Sequence, residues 1–284
     1  MNIFSNWIFI IILFLVCDVT YNQGFKQLTK KIQRDGAMIV LLDCIAGLLS
    51  LLLIFFFKWQ LPSNKWTYFF LGIACLFYAL NDRLGTTARK GIPASTFSML
   101  KQLSTVFMIF AGLIFFKEKL ILTKLCGGML IVFSNILVFY DKKIKFNKYI
   151  LFGFLATLCT TIALFIDVNY SDEFNLPLYV AITLIFPSIL IFLFERIKIK
   201  DIIIEYKISN KKILFITIIS SALMLIFKLY AYQLGDVIII APLCSLAIIL
   251  NVLVESIFFG EKTKIFRKIL ASILIIVSIL LIRL

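Results

Sequence analysis

Ten apolar stretches fill almost the whole of this 284-residue chain, and each is about as long as a lipid bilayer is thick. A helix needs about 20 apolar residues to cross the hydrocarbon core. Because the stretches are continuous and do not alternate with period two, they predict helices and not the strands of a β-barrel. The sequence therefore predicts an all-α membrane protein with ten transmembrane helices. The predicted spans are Phe4–Asn22, Met38–Phe57, Tyr68–Asn81, Pro93–Phe116, Leu120–Tyr140, Tyr149–Asp167, Leu176–Phe194, Ile213–Tyr232, Val237–Phe259 and Ile265–Ile282.

Composition leaves no room for a separate soluble domain. Hydrophobic residues make up 62% of the chain, whereas about half is typical of a soluble domain. The longest polar connection, Glu195–Lys212, still contains three consecutive isoleucines. The first stretch has no basic leader and no cleavage site, so we interpret it as a retained span that follows Met1. We therefore expect the functional residues to lie within the helix bundle.

One short motif occurs in both halves of the chain. Ile114–Lys119 reads IFFKEK and Ile257–Lys262 reads IFFGEK, a displacement of 143 residues (257 minus 114) in a chain of 284. A duplicated unit with an odd number of spans must insert its second copy upside down, and such inverted repeats are typical of secondary transporters. The sequence predicts two five-helix repeats, residues 1–142 and 143–284, joined at the basic linker Asp141–Lys148.

Lys and Arg are distributed asymmetrically among the connectors. The formal net charge is +14, and 21 of the 29 basic residues lie in connectors that follow odd-numbered spans or within about one turn of them, against 6 in the other connectors, span ends and tails. The remaining two, Lys101 and Lys228, lie within spans. The positive-inside rule places the richer connectors in the cytoplasm and both termini outside. The charge is thus explained by membrane topology, and nucleic acid is not a predicted partner.

The chain lacks the residue patterns of metal and cofactor sites. It has 6 Cys, scattered singly in apolar stretches, and 0 His, so neither a CxxC motif nor a Cys/His zinc pattern is present. No phosphate-binding P-loop occurs either. Membrane-embedded enzymes usually carry clustered carboxylates, His pairs or metal ligands near one face, whereas these carboxylates are isolated. We therefore predict no cofactor, no metal and no enzymatic activity.

Sequence stretches around the repeated motif resemble a known family. Val106-Phe107 is followed by Ile114–Leu120 and Leu125–Ile131, and Ala241–Leu243 precedes Phe258–Lys262. This order resembles the PVF…FLGERL…LLGALLI pattern of EamA-type domains in the drug/metabolite transporter superfamily. The resemblance implies a ten-helix transporter in which all spans except the fifth and tenth surround a central cavity.

Two departures from the family pattern limit what can be transferred. Lys117 stands where the family usually has Gly, and Ser104-Thr105 stand where an acidic residue or Pro often precedes Val-Phe. Glu118 and Glu261 are interpreted as caps and anchors of an interfacial turn. Nucleotide-sugar transporters of the same superfamily have a Lys in a comparable fourth span, which Lys101 resembles. Exchange of nucleotide sugars or other organic anions is therefore an alternative.

Ionisable side chains within spans are functional candidates, because a charge at the bilayer centre costs about 2.5–3.5 kcal/mol. Lys101 lies in the middle of the fourth span and is predicted to contact substrate. Ser98 and Thr105 share its helix face, and Gln102 follows it. A structural ion pair between Lys101 and Asp18 or Asp43 is the alternative.

Other spans supply further polar candidates. The additional predicted substrate-binding residues are Tyr21, Asn22, Tyr78, Asn81, Lys228 and Tyr232. For the tyrosines, an aromatic belt at the membrane interface is the alternative. The predicted coupling-ion residues are Asp18, Asp43 and Glu255, because removal from water favours the protonated form of a carboxylate. For Asp18 and Asp43 the alternative is an ion pair near the membrane edge, and for Glu255 interfacial anchoring is the preferred alternative.

Together these features favour a secondary active transporter in the plasma membrane that moves a small polar or amphipathic metabolite by alternating access. A proton or a counter-substrate is the predicted coupling partner, and Gly127-Gly128 would permit either internal helix packing or a homodimer. A non-transporting membrane scaffold or sensor and a membrane-embedded enzyme are the alternatives of another class.

Overall fold

The computed structural model describes residues 7–29, 32–89, 91–92, 94–116, 121–139 and 147–258, and 267, 270–271, 273–274, 277–278 and 281. Within these residues the chain forms ten α-helices and no β-strand, which confirms the predicted all-α class. The helices are α1 (Trp7–Thr29), α2 (Asp35–Leu52), α3 (Lys65–Arg89), α4 (Ala94–Ile114), α5 (Leu122–Phe139), α6 (Lys148–Tyr170), α7 (Leu176–Phe194), α8 (Ile199–Ile208), α9 (Lys211–Leu234) and α10 (Val237–Phe258).

The first nine predicted spans correspond to α1–α7, α9 and α10. Five helices, namely α1, α2, α6 with the turn after it, α7 and α9, are long and apolar enough to cross a membrane, and α4, α5 and α10 contain shorter apolar stretches. Most of the tenth predicted span lies outside the described residues. So do most of the linker Asp141–Lys148 and the motif residues Glu118 and Glu261.

Two elements differ from the prediction. Helix α3 continues to Arg89, beyond the predicted end at Asn81, and Gly85 and Ala88 in this extension are buried. Helix α8 was not predicted and lies in the connection Glu195–Lys212.

Asparagine is the N-cap residue of three of the long helices. Asn147, Asn175 and Asn210 each precede a helix, and each side-chain oxygen accepts hydrogen bonds from backbone N–H groups of the first turn. Those N–H groups have no partner within the helix. The starts of α6, α7 and α9 are therefore fixed by the local sequence.

Connectors meet at two opposite ends of the bundle. Asn175 donates from its side chain to the carbonyl oxygens of Ile54, Phe57 and Lys58, so the α2–α3 and α6–α7 connectors join at what we call the Asn175 end. At the other end of α2, Arg34 pairs with Asp201. We call this the Arg34 end. Because α2 begins at the Arg34 end and finishes at the Asn175 end, the two groups of connectors lie on opposite sides.

Helices from the two halves of the chain pack closely in antiparallel pairs. In α2 and α7, Cys44 Sγ lies 3.0 Å from Ser188 Oγ. One turn further along α2, a Cβ built on Gly47 would lie only 2.5 Å from Ile185 Cγ1. Helix α1 packs on α9 and α3 packs on α6, and α10 contacts both α4 and α5. The main core lies where α1, α2, α7, α9 and α10 meet.

Candidate functional site

A cavity of about 170 Å³ lies among α1, α2, α3 and α4. Its position along these helices places it nearer to the Arg34 end. The described lining residues are Tyr21, Asn22, Phe25, Ile39, Leu42, Asp43, Asn81, Asp82, Gly85, Thr86, Phe97 and Lys101. The cavity wall therefore contains amide, hydroxyl, carboxylate and ammonium groups from four helices.

Both signs of charge face this cavity. Asp43 on α2 and Asp82 on α3 interact electrostatically. Lys101 on α4 is exposed, and its Nζ lies 5.5 Å from the centre of the Phe97 ring. Asn81 Nδ2 donates to Asp82 Oδ1 over 3.1 Å. The Oδ1 atom of Asn81 accepts a hydrogen bond from Thr160 Oγ1 of α6 over 2.6 Å, so α6 fixes the orientation of the Asn81 amide.

Asp18 lies at the middle of α1, where the two halves of the chain meet. Its Oδ2 accepts hydrogen bonds from Asn22 Nδ2 over 2.7 Å and from Asn251 Nδ2 of α10 over 3.3 Å. Lys101 of α4 and Lys228 of α9 also interact electrostatically with it. A carboxylate at the predicted coupling position is therefore hydrogen-bonded to two side-chain amides and interacts electrostatically with two ammonium groups.

A second buried carboxylate, Asp167, was missed by the sequence analysis. Tyr78 donates a short hydrogen bond to Asp167 Oδ2, and Tyr179 donates to Oδ1 over 2.7 Å. Lys228 interacts electrostatically with Asp167 as well. The predicted sixth span ends at Asp167, whereas α6 continues to Tyr170, so this carboxylate lies within the helix and not at its boundary.

These charges follow one another along the bundle, and their sign alternates from Asp167 as far as the pair of carboxylates in the cavity. Asp167 lies three residues before the Asn175 end of α6, and Lys228 lies six residues before the same end of α9. At about 1.5 Å per residue, Asp18 is deeper, at the middle of α1. Lys101 and the carboxylates of the cavity follow toward the Arg34 end. We call this series, Asp167, Lys228, Asp18, Lys101, Asp43 and Asp82, the charge column.

The structure separates the predicted site residues into two groups. The predicted residues that line the cavity are Tyr21, Asn22, Asp43, Asn81 and Lys101. Tyr78, Lys228 and Asp18 belong to the deeper polar clusters described above. The side chains of Ser98 and Glu255 lie outside the described residues. Asp82, Thr86 and Phe97 line the cavity but were not among the predicted site residues.

Three predicted residues are buried away from the described cavity. Asn135 Nδ2 donates one hydrogen bond to Gln102 Oε1 over 3.0 Å and another to Ser245 Oγ over 2.9 Å. This contact ties α4, α5 and α10 together. Thr105 and Tyr232 are buried as well. Sequence spacing predicted that Thr105 and Lys101 share one face of α4. That face lines the cavity at Lys101, whereas about one turn further along the helix, at Thr105, it is buried in the bundle interior.

The apolar helices and the polar cavity lining define the class, an integral membrane protein with a polar cavity between its helices. Residues 5–140 match the model of the EamA-like transporter family, which belongs to the drug/metabolite transporter superfamily. This segment of the chain is EamA-like, and the predicted family is confirmed for it. Members of the family are membrane transporters and not enzymes.

The fold extends the comparison to the whole chain. Among solved structures, 28 chains match. One of them, a crystal structure of a protein, has a TM-score of 0.74 and covers 96% of this chain and 96% of its own, at 13% sequence identity. A match at this identity establishes a shared fold and nothing more. No curated protein matches the chain.

Proposed function

We propose that this protein is a secondary active transporter of the plasma membrane, which moves a small polar or amphipathic metabolite by alternating access between two inverted five-helix halves, residues 1–142 and 143–284. The charge column is the observation that carries the proposal. Charges within a membrane bundle are costly and mark substrate or ion pathways. Here they continue from an open polar cavity to a buried carboxylate near the opposite end.

Helix directions support the inversion of the second half. In a five-helix duplication, α2 corresponds to α7, and α2 begins at the Arg34 end, where α7 finishes. The pairing of α1 with α9 has its counterpart in the pairing of α3 with α6, and contact of α4 with α6 has its counterpart in contact of α10 with α1. Exchange of the halves thus maps these contacts onto one another.

Alternating access follows from this arrangement by rocking of one half against the other. Substrate enters the cavity from the Arg34 end and contacts Lys101, Asp43 and Asn81. The Asn175 end is closed by hydrogen bonds between connectors. Opening that end requires the interactions of Lys228 with Asp18 and Asp167 to rearrange, because they join α9 to α1 and α6. A proton or a counter-substrate on Asp18 would drive this step.

The cavity favours a substrate that carries an amine over a purely anionic one. Asp43 and Asp82 face the space that Lys101 also faces, and a carboxylate repels an anion as strongly as an ammonium attracts it at the same distance. Nucleotide-sugar or organic-anion exchange is therefore the less favoured transport reaction. A scaffold, sensor or enzyme gives the charge column no role.

Replacing Lys101 by Ala is expected to reduce exchange about 10-fold or more, because a contact to a charged group contributes about 1.5–3 kcal/mol. Proteoliposomes loaded with labelled amino acids, amines or organic acids would measure the exchange. Lys58→Ala, at an exposed site in the α2–α3 connector, is the matched control and should exchange at the unsubstituted rate. Equal rates for both variants would remove Lys101 from the site.

A further inference from the structure

Helix α8 connects two membrane-spanning helices at the Arg34 end. It follows α7 after a short loop and is joined to α9 by Ser209 and Asn210. Asp201 lies in its first turn and accepts a hydrogen bond from the Lys198 backbone N–H over 2.9 Å. Both of its neighbours, α7 and α9, are long and apolar enough to cross a membrane, so α8 lies at the shared end of two candidate spans.

The acidic face of α8 is bound to the protein. Glu205 is buried, and its Oε1 accepts from the backbone N–H groups of Gln33 and Arg34 over 2.9 and 2.8 Å. Asp201 pairs with the Arg34 guanidinium. The Lys198 N–H, together with Arg34, holds the pKa of Asp201 below its ordinary value, so this carboxylate is ionised at neutral pH. Both acids of α8 are therefore directed at the start of α2.

The opposite face of α8 is apolar and exposed. Ile199 is 68% exposed, and Ile203 and Ile204 are exposed too. The neighbouring ends of α7 and α9 carry the exposed apolar side chains Phe194 and Phe215. The apolar surface of the bundle thus reaches α8. Exposed isoleucines beside a lipid-covered surface are typical of a helix that lies in the membrane interface.

Basic side chains surround this apolar face. The exposed basic residues in and beside α8 are Arg196, Lys198, Lys200, Lys207, Lys211 and Lys212. The local acids Glu195, Asp201 and Glu205 point inward, toward Arg83 and the Gln33–Arg34 segment. The outward charge is therefore positive, and the complementary partner at a membrane surface is an anionic headgroup.

We propose that α8 lies in the headgroup layer at the Arg34 end and binds anionic phospholipids through these lysines, with Ile199 and Ile203 inserted among the acyl chains. Lipid binding would thereby affect the position of α2, because Asp201 and Glu205 bind Gln33 and Arg34, the two residues that precede it. Helix α2 supplies Ile39 and Asp43 to the cavity. The lipid site is independent of whether the protein transports anything.

Hydrogen exchange of the whole protein in nanodiscs tests this proposal. We expect amide exchange across 199–208 to be about fivefold slower with 30 mol% phosphatidylglycerol than with pure phosphatidylcholine. Lys200→Gln/Lys207→Gln should abolish the difference. Lys58→Gln/Lys65→Gln removes the same charge near the Asn175 end and should retain it. The same exchange rate in both lipids would overturn the proposal. Slower exchange that depends on the number of protein copies per nanodisc would overturn it too, because a second copy of the protein would then cover the apolar face.

Insertion of the apolar face is tested separately with Ile203→Trp in a background where Trp7, Trp59 and Trp66 are Phe. We expect brominated acyl chains to quench the fluorescence of this variant strongly and aqueous iodide to quench it weakly. Quenching by iodide alone would place the face in water and contradict the proposal.

Discussion

Substituting Asp167 by Leu is expected to lower the free energy of unfolding by about 3 to 5 kcal/mol. The hydroxyl groups of Tyr78 and Tyr179 both donate to this carboxylate, and Tyr179 is completely buried. Leu would leave both donors without an acceptor and would deprive Lys228 of a counter-charge. Asp167→Asn keeps an acceptor oxygen and should cost about half as much. Equilibrium unfolding in mixed micelles measures both values.

Asp172→Leu provides the matched control for this prediction. Asp172 is an exposed carboxylate in the turn after α6, close to the same end of the bundle. Surface substitutions usually change stability by less than about 0.5 kcal/mol. If Asp167→Leu were as stable as Asp172→Leu, the tyrosine–carboxylate cluster would not contribute to folding in the way the geometry implies.

Replacing Lys228 by Met is expected to abolish exchange and to destabilise the protein by about 3 kcal/mol. Met has a similar length but no charge, so Asp18 and Asp167 would both lose the ammonium group of α9 with which they interact. Lys228→Arg keeps the charge and should retain measurable exchange. Proteoliposome exchange and unfolding in mixed micelles, made on the same preparations, separate lost transport from lost folding.

A double variant distinguishes a charge partnership from simple packing by Lys228. If the ammonium neutralises Asp18, then Lys228→Met/Asp18→Asn should recover about half of the lost stability, because removing both partners leaves no uncompensated charge. Exchange should stay absent, since the charge column is broken. Strictly additive losses in the double variant would show that the two residues do not interact.

The helical stretches were predictable because lipid imposes a simple rule on the sequence. Continuous apolar runs predicted nine spans that match described helices. The three Asn caps are local sequence signals for the start of a helix. Tertiary structure decided the rest. Helix α3 runs past its apolar segment because Asp82 and Thr86 face a cavity, and no local pattern announces that packing.

The cavity-lining residues were easiest to predict where a charge interrupts an apolar run. Lys101 and Asp43 stood out for that reason and line the cavity, whereas Asp167 was hidden because it follows the last apolar residues of its span. Gln102 shows a different difficulty. Its polarity predicted a substrate contact, but polar side chains inside a helix bundle also form hydrogen bonds with one another. Gln102 accepts a hydrogen bond from Asn135. Which neighbour a polar residue meets depends on helix rotation, which spacing alone does not determine.

Inversion of the two halves is tested most directly by the sides on which corresponding connectors emerge. Ser63 lies between α2 and α3, and Lys207 lies in the matching connector of the second half; both are exposed. A membrane-impermeant maleimide would be applied to intact cells and to inverted vesicles carrying Ser63→Cys or Lys207→Cys, with the native cysteines replaced. We predict labelling of Ser63→Cys only in cells and of Lys207→Cys only in inverted vesicles. Labelling of both variants from the same side would contradict inverted halves and, with them, the proposed transport mechanism.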